Sequence, residues 1–371
     1  MFNALPPPLN SAVPFVIVLG VLVFFHELGH YLAARWRGVH VETFSIGFGR
    51  ALVSWIDRRS TTWKISLIPL GGYVRLNGME RPDEASPEAR ARWIPGHTFH
   101  EKSVLSRAII IVAGPLANFG LAVVLFFALD VAVGRPVIEP VVGDVVEGSA
   151  AAAAGLKPGD RVTGIDAEAV RRFEDLQRIV SAHAEQKITL HIDRNDAPLD
   201  VDVTPQARDG GGGSKIGVLG VRGGRQIYEP MTLSESVVGG VVQTWDVTVQ
   251  TLEGVWMMLT SRKGGEDLGG PLRIAQMSGE VAQHGFANLV SFIAVLSVNL
   301  GLINLFPIPV LDGGHLMFFL AEALRGRPLP VRAQEYGFRA GFALLIGLFV
   351  FATWNDLAHI GLFRWVAGLI G

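Results

Sequence analysis

Four long runs of apolar residues divide the chain, covering about 11–34, 106–133, 286–306 and 338–354. Each approaches the roughly 20 residues that a helix needs to cross the hydrocarbon core of a bilayer. The runs therefore predict a multi-span α-helical membrane protein with about four transmembrane helices. Residues 1–25 carry no charge, so the first run lacks the positive segment of a signal peptide and is expected to stay in the mature protein.

Between the second and third apolar runs, apolar and polar residues alternate over short distances, as they do in a folded domain that lies in water. Ile188–Ile192 and Leu199–Val203 alternate apolar and polar residues, which predicts two strands. The stretch Arg171–Ala184 predicts a helix between turn-rich segments. We therefore expect one α+β domain, inserted at 137–206.

The segment that follows this domain combines two kinds of sequence. The glycine-rich run 209–214 predicts a flexible linker. Residues 231–259 are apolar but interrupted by polar residues, which favours an amphipathic helix at the membrane interface over a fifth span. The predicted plan is a first membrane half (1–136), an inserted domain (137–206), a linker with an interfacial segment (207–285) and a second membrane half (286–371).

Composition supports a membrane protein and excludes several kinds of chemistry. Hydrophobic residues make up 49% of the chain and charged residues 18%, against about 25% charged in soluble domains. A net charge of -2 gives no sign of a nucleic-acid partner. The chain contains no cysteine, which excludes disulfides, thiolate metal sites and cysteine proteases.

The distribution of Lys and Arg predicts the orientation of the spans. Residues 37–102 contain ten Lys and Arg, and three more arginines lie between the third and fourth runs. Cytoplasmic loops of membrane proteins carry an excess of these residues. We therefore expect these two loops in the cytoplasm, and both termini and the inserted domain on the opposite side.

The motif HELGH at His26–His30 carries the strongest chemical signal. Residues i and i+4 of a helix share one face, so both imidazoles can reach the same metal ion, with Glu27 beside it as a general base. The motif lies at the end of an apolar run, where ionisable residues are costly and usually functional. The alternative is that the span ends near Phe25 and the motif occupies the headgroup region.

A second motif, LDGGH at Leu311–His315, follows the third apolar run. Asp312 is an isolated carboxylate in an apolar stretch and could supply a third metal ligand. It could equally cap a helix after a Pro- and Gly-rich turn that leaves the membrane. The sequence pattern alone does not connect this residue with a motif some 280 residues upstream.

Together the two motifs resemble those of the site-2 protease family of intramembrane zinc metalloproteases, peptidase family M50. The branch that they resemble most is the bacterial regulator-of-sigma-E protease. The likeness covers most of the chain and includes four further segments: Phe44–Gly49, Trp63–Val74, Ala113–Asn118 and Leu268–Leu272. It implies that His26, His30 and Asp312 bind one catalytic Zn²⁺ and that Glu27 is the general base.

The resemblance also implies positions that contact substrate. Residues about 39–76 are similar to the membrane-associated β-loop of the family, which would pair with an extended substrate segment. The implied substrate-binding residues are Gly71, Gly72, Asn118, Asn304, Pro307 and Pro309. For Asn118, which follows Gly114 at a small-xxx-polar spacing, close helix packing is an equal alternative.

The implied function is regulated intramembrane proteolysis of single-pass membrane proteins in the bacterial inner membrane. The expected substrates are a pre-trimmed anti-sigma factor, in stress signalling, and signal-peptide remnants. Residues 137–206 resemble a PDZ domain, most clearly at Gly155–Asp160, and are expected in the periplasm with both termini. Two alternatives are a membrane-bound PDZ scaffold with a vestigial metal site, and a membrane zinc enzyme that acts on lipid or another small molecule. The intact Glu27 argues against the first, and the polypeptide-binding segments argue against the second.

Overall fold

The computed structural model forms two compact units, of which unit 1 is Met1–Leu129 with Leu233–Gly371 and unit 2 is Asp130–Thr232. The structure describes residues 7–80, 85–209, 215–260 and 269–359. Most of the predicted glycine-rich linker, 209–214, lies outside the described residues.

Unit 1 contains the long helices and a bent β-hairpin, and unit 2 contains most of the strands. In chain order, the elements of the described residues are α1 (Pro7–Trp36), β1 (Val41–Ile56), β2 (Thr62–Leu76), α2 (Pro87–Arg90), α3 (Val104–Ala132), β3 (Arg135–Ile138), β4 (Val142–Val145), α4 (Ala150–Ala153), β5 (Arg161–Ile165), β6 (Glu168–Ala169), α5 (Phe173–Ala182), β7 (Ile188–Arg194), β8 (Ala197–Val203), β9 (Gln206–Asp209), β10 (Lys215–Val218), β11 (Val221–Gly223), β12 (Gln226–Glu229), α6 (Leu233–Thr260), α7 (Pro271–Gln283), α8 (Phe286–Leu305), α9 (Asp312–Arg325) and α10 (Val331–His359).

Four helices of the described residues are long and apolar enough to cross a membrane, and they coincide with the four apolar runs. They cover Leu9–Trp36, Val104–Ala132, Phe286–Leu305 and Val331–Ala358. The fourth is longer than the predicted run 338–354, because the polar turn that begins at Val331 continues the same helix. The four helices mark the chain as a membrane protein.

The predicted helix at 231–259 is α6, and it packs against two of these helices. A Cβ on Gly240 would lie 2.7 Å from the carbonyl oxygen of Val123 in α3, so the two backbones touch there. The hydroxyl of Thr251 donates a hydrogen bond to Asn299 Oδ1 of α8 at 2.8 Å. Its placement at the membrane interface stays a prediction.

The hairpin of β1 and β2 is strongly bent. As a result, residues 43–46 of β1 pair with two separate parts of β2, 62–65 and 72–75. Phe44 pairs with Val74 on one side and with Trp63 on the other, and its fully buried ring packs in a core shared with α1 and α3. Beyond Ile46, most of β1 is exposed, including Leu52 and Ile56, which is 71% exposed. The segment therefore joins α1 at one end and presents an apolar surface at the other.

Unit 2 corrects the predicted boundaries of the inserted domain, because it spans Asp130–Thr232 rather than 137–206. The predicted strands and helix are present as β7, β8 and α5. The first part of the predicted linker also belongs to the domain, since β11 pairs with β4 and β12 with β3. These late strands close the domain by pairing with its first two strands.

The core of unit 2 lies between α5 and the four-stranded sheet β6-β5-β7-β8. The sheet contributes alternate residues such as Ile188, Leu190 and Ile192, each 1% exposed or less, as the period-two pattern predicts. α5 buries Leu176 and Ile179 from the opposite side.

Candidate functional site

The site begins on α1, where His26 and His30 lie one turn apart and both are buried. Their Nε2 atoms are 3.2 Å from each other, as expected for i and i+4 positions that point the same way. Gly29 between them brings α1 against α3, since a Cβ there would lie 2.2 Å from the carbonyl oxygen of Ala113.

Asp312 reaches the same point from the first residue of α9. Its Oδ2 atom lies 3.2 Å from His26 Nε2 and 3.5 Å from His30 Nε2. Gly313 and Gly314 allow this approach, because a Cβ on either would lie within 2.4 Å of carbonyl oxygens of the preceding turn. The two glycines therefore let α9 begin directly against the end of α8.

A buried ion pair holds α9 against α3. The guanidinium of Arg107 is 2.7 Å from Glu322 Oε1, with both side chains 12% exposed. The same guanidinium lies over the ring of Phe319, 5.0 Å from its centre. These contacts fix the helix that presents Asp312.

The three side chains fit a zinc ion. Tetrahedral zinc with bonds of about 2.0–2.1 Å places its ligand atoms roughly 3.3 Å apart, and the observed separations are 3.2, 3.2 and 3.5 Å. Asp312 Oδ2 is buried and has no hydrogen-bond partner among the described residues. Two imidazoles and one carboxylate are also a usual ligand set of catalytic zinc, which keeps a position open.

Residues of α3 support His30 from behind. His30 Nδ1 donates a hydrogen bond to the carbonyl oxygen of Ile110 at 2.9 Å, so Nε2 is the nitrogen that keeps its lone pair. Gly114 provides the space for the ring, since a Cβ there would lie 2.3 Å from His30 Nε2. No sequence pattern indicated the contact with Ile110, because its acceptor is a backbone carbonyl.

Glu27 lies between the metal ligands and the hairpin. It interacts electrostatically with His26, His30 and Asp312, and its carboxylate accepts a hydrogen bond from the backbone amide of Val74. Gly72 keeps β2 close, because a Cβ there would lie 3.3 Å from Glu27 Cγ. The predicted general base and an edge of β2 thus meet beside the predicted metal ligands.

The other predicted substrate-binding residues lie in two places. Gly71, which has a φ of +100°, packs against the ring of Phe48, next to Gly72. Asn304 donates its amide to the Leu300 carbonyl at 2.9 Å and precedes the turn that contains Pro307 and Pro309. Pro307 is exposed, whereas Pro309 is partly buried.

Pro309 packs against α10. A Cβ on Gly341 would lie 3.1 Å from the Pro309 backbone. The substrate contacts of Gly71, Gly72, Asn304 and the two prolines stay predictions.

Asn118 lies beside one of the predicted metal ligands. It is fully buried, and its Nδ2 atom lies 3.3 Å from His26 Nδ1. This position fits the helix-packing alternative, and a contact with substrate stays a prediction.

Comparison with known proteins agrees with this geometry. The family model of peptidase family M50 matches residues 14–348. A protein of Rhizobium meliloti (strain 1021), named as a zinc metalloprotease, is 43% identical over 94% of this chain and 97% of its own length. Zinc metalloprotease RasP of Geobacillus kaustophilus is 33% identical over 94% of this chain and 98% of its own length.

Among solved structures, the PDZ domain of the SdrC-like protein from Listeria innocua is similar to part of the chain. The match covers 24% of this chain and 99% of that domain, with 15% sequence identity and a TM-score of 0.21.

The family match spans residues 14–348, a range that includes His26, His30 and Asp312, and both relatives match over 94% of this chain. The chain therefore belongs to peptidase family M50 and is a zinc metalloprotease.

Proposed function

We propose that this metalloprotease is an endopeptidase that cleaves single-pass membrane proteins within the bilayer. The observation that carries the proposal is the position of His26 and His30, which lie inside the apolar helix Leu9–Trp36 rather than on a soluble domain. Ionisable residues in such a helix usually mark a functional path. His26, His30 and Asp312 would hold the ion, and Glu27 would act as the base.

In peptide hydrolysis, zinc and the side chains of the protein would have different roles. Bound zinc supplies Lewis-acid polarisation of the scissile carbonyl and activation of water. Glu27 takes the proton of the attacking water and returns it to the leaving amine. His30 and its bond to Ile110 keep a lone pair directed at the site, and Asp312 adds the negative charge of the ligand set.

The hairpin offers a way to present substrate. Gly72–Leu76 pairs with β1 along one side only, and this segment lies next to Glu27. An extended segment that added to this edge would bring its backbone past the carboxylate, whereas an intact helix would keep its peptide bonds hidden. Substrates would therefore be transmembrane segments that unwind easily.

We expect the substrate class to include an anti-sigma factor that another protease has already trimmed, and remnants of signal peptides. The enzyme would lie in the bacterial inner membrane, with unit 2 and both termini in the periplasm. There unit 2 would exclude substrates that still carry a large folded domain.

The test is cleavage of a tagged, externally truncated single-pass protein in cells that make wild type or Glu27→Gln. The product should appear with wild type and with Glu88→Gln, which changes an exposed acid, and disappear with Glu27→Gln. Equal product from Glu27→Gln would disprove the proposal. If neither form cleaves any of several substrates although both are inserted, the scaffold alternative is favoured.

The proposed exclusion of large substrates by unit 2 needs a separate experiment. Deletion of residues 130–232, joined by a short linker, should permit cleavage of untrimmed substrates that wild type leaves intact. If untrimmed substrates stay uncut, unit 2 has another role.

A further inference from the structure

The side-chain amide of Asn118 lies next to His26, one of the proposed zinc ligands, and its oxygen has no hydrogen-bond partner among the described residues. Asn118 Oδ1 is buried without a hydrogen bond to the described residues, while Nδ2 lies 3.3 Å from His26 Nδ1. The oxygen and nitrogen of an amide exchange places when the side chain turns by 180°, so the surrounding hydrogen bonds decide its orientation.

The orientation of the Asn118 amide depends on whether His26 Nδ1 carries a proton. An imidazole that binds metal through Nε2 keeps its proton on Nδ1, and that proton needs an acceptor. His30 already has such an acceptor in the Ile110 carbonyl. For His26 the neighbouring side chain is Asn118, which accepts the proton only when Oδ1, not Nδ2, faces the ring.

We propose that Asn118 is a positioning residue for His26: its Oδ1 accepts a hydrogen bond from Nδ1 and thereby directs the Nε2 lone pair at the metal. This inference rests on the zinc site described above. Asn118 lies where α3 meets α8, and the Ser297 hydroxyl of α8 donates to its backbone carbonyl, not to its side chain, at 2.8 Å. The two ligating histidines would thus each have an acceptor on α3, one from the backbone and one from a side chain.

Zinc affinity of the purified full-length protein, measured by competition with a chelator, tests this role. Asn118→Leu removes the acceptor and should weaken zinc binding about 10- to 100-fold, the usual effect of losing a partner of a metal-ligating histidine. Asn118→Asp keeps an acceptor and should bind zinc within about threefold of wild type. Asn118→Ala serves if the leucine does not fit, with the same expected loss.

Ser297→Ala is the control for packing, because it removes a bond of the same helix pair and leaves the amide in place. It should keep zinc affinity near that of wild type. Wild-type affinity in Asn118→Leu or Asn118→Ala would overturn the proposal. So would an equal loss in Asn118→Asp, since a packing role alone would not distinguish an acceptor from an apolar side chain.

A separate observation concerns the end of α1, away from the metal site. A cavity of about 390 Å³ lies there, and its charged or titratable lining residues are Arg35, His40, Arg59 and His97. This volume falls within the range of about 300–1,000 Å³ that is usual for small-molecule sites. No acidic side chain is among the described residues that line it.

The two arginines of this cavity have no ion-pair partner among the described residues, although Glu42 and Asp57 lie close enough to act on His40 electrostatically. The Asp57 carboxylate is already bonded to Trp63 and to backbone amides. Burial and then the charge of Arg35 lower the pKa of His40. Unpaired cations around a cavity form a site for an anion.

We propose that this cavity binds the phosphate group of an anionic phospholipid. Arg35 lies in the last turn of the apolar helix Leu9–Trp36. Trp36 is 72% exposed, as is common for aromatic residues at the membrane boundary. A phosphate at that boundary can receive paired hydrogen bonds from arginine, and basic pockets beside membrane helices recognise such headgroups.

The test compares Arg35→Gln/Arg59→Gln with Arg58→Gln, which changes the neighbouring arginine that does not line the cavity. Phosphatidylglycerol retained by the detergent-purified protein should fall at least fivefold in the double variant and stay near the wild-type amount in the control. Phosphatidylcholine retention should not change.

Equal retention by the double variant and wild type would overturn the proposal. It is also overturned if wild type shows no preference for phosphatidylglycerol over phosphatidylcholine. In that case, binding of inorganic phosphate that the double variant loses would identify the ligand as a free anion.

Discussion

The metal site of unit 1 and the buried ion pair of Asp160 in unit 2 hold buried charged side chains in two different ways. In unit 2, Asp160 is 1% exposed and both of its oxygens are occupied. Arg194 donates to Oδ1 and Oδ2 at 2.7 Å, and the backbone amide of Lys157 donates to Oδ2 at 2.8 Å. Burial alone would raise the pKa of Asp160, but these hydrogen bonds outweigh it and lower the pKa.

At the metal site of unit 1, by contrast, buried polar groups face one another without completing their bonds. Asp312 Oδ2 and Asn118 Oδ1 lack partners among the described residues, and three ligating atoms converge on one point. A buried polar group without a partner is costly. The comparison shows that the completed bonds of Asp160 stabilise the fold of unit 2, whereas the unpartnered oxygens at the metal site of unit 1 leave room for a ligand.

The largest expected effect concerns Gly114, behind the metal site. In Gly114→Ala the new methyl group would lie 2.3 Å from His30 Nε2, so the ring must move and one zinc ligand is lost. We expect zinc affinity to fall about 1,000-fold, or about 4 kcal/mol. Gly120→Ala on the same helix is the control, because nothing lies within 4 Å of its Cβ. Similar affinities in the two variants would contradict the role of Gly114.

In unit 2 the corresponding change is Asp160→Asn, which should affect stability and leave zinc binding unchanged. Removing one member of a buried ion pair costs about 3–5 kcal/mol, so the amides of unit 2 should lose about 3 kcal/mol of protection in hydrogen exchange of the full-length protein. Asp144→Asn is the control: its partner Arg222 is 3.9 Å away and both are well exposed, so we expect less than about 0.5 kcal/mol.

Acid should reproduce part of this loss in the wild type. Because the folded pKa of Asp160 is lowered, its contribution is complete above the unfolded value of about 3.9 and disappears as the pH falls through the folded value. Protection of unit 2 in hydrogen exchange should therefore decrease as the pH falls below about 4. The same scan of Asp160→Asn should be flatter, and an equal slope in both proteins would assign the effect to other carboxylates.

The smallest effect is expected from Gly155→Ala. Gly155 has a φ of +76° and open space around its Cβ position, so only backbone strain of about 1 kcal/mol opposes the substitution. Hydrogen exchange of unit 2 should show this modest loss, with zinc affinity unchanged. A larger loss would mean that the bond from Arg194 to the Gly155 carbonyl is also broken.

The sequence predicted those parts of the molecule that depend on local periodicity. Long apolar runs became α1, α3, α8 and α10, and period-two alternation became β7 and β8. The two histidines of HELGH share one face because a helix imposes it. Each of these features is decided within a few residues of the chain.

Contacts between distant segments could not be predicted in the same way. Asp312 joins His26 through packing of α9 against α3, and only the resemblance to a family connected the two motifs. Strands β10, β11 and β12 are three or four residues long, too short for a clear alternation, and two of them are paired with strands at the start of the domain. Close approaches such as Gly114 to His30 depend on three-dimensional packing that no local pattern records.

The separation of Asp312 from His26 also has a consequence for biosynthesis. The ribosome makes both histidines early, yet the third ligand follows only after unit 2 and α8 have been translated. A nascent chain that ends before Asp312 has an incomplete ligand set and no α9 to close the site. The predicted ligand set is therefore completed late, when most of the chain has already been translated.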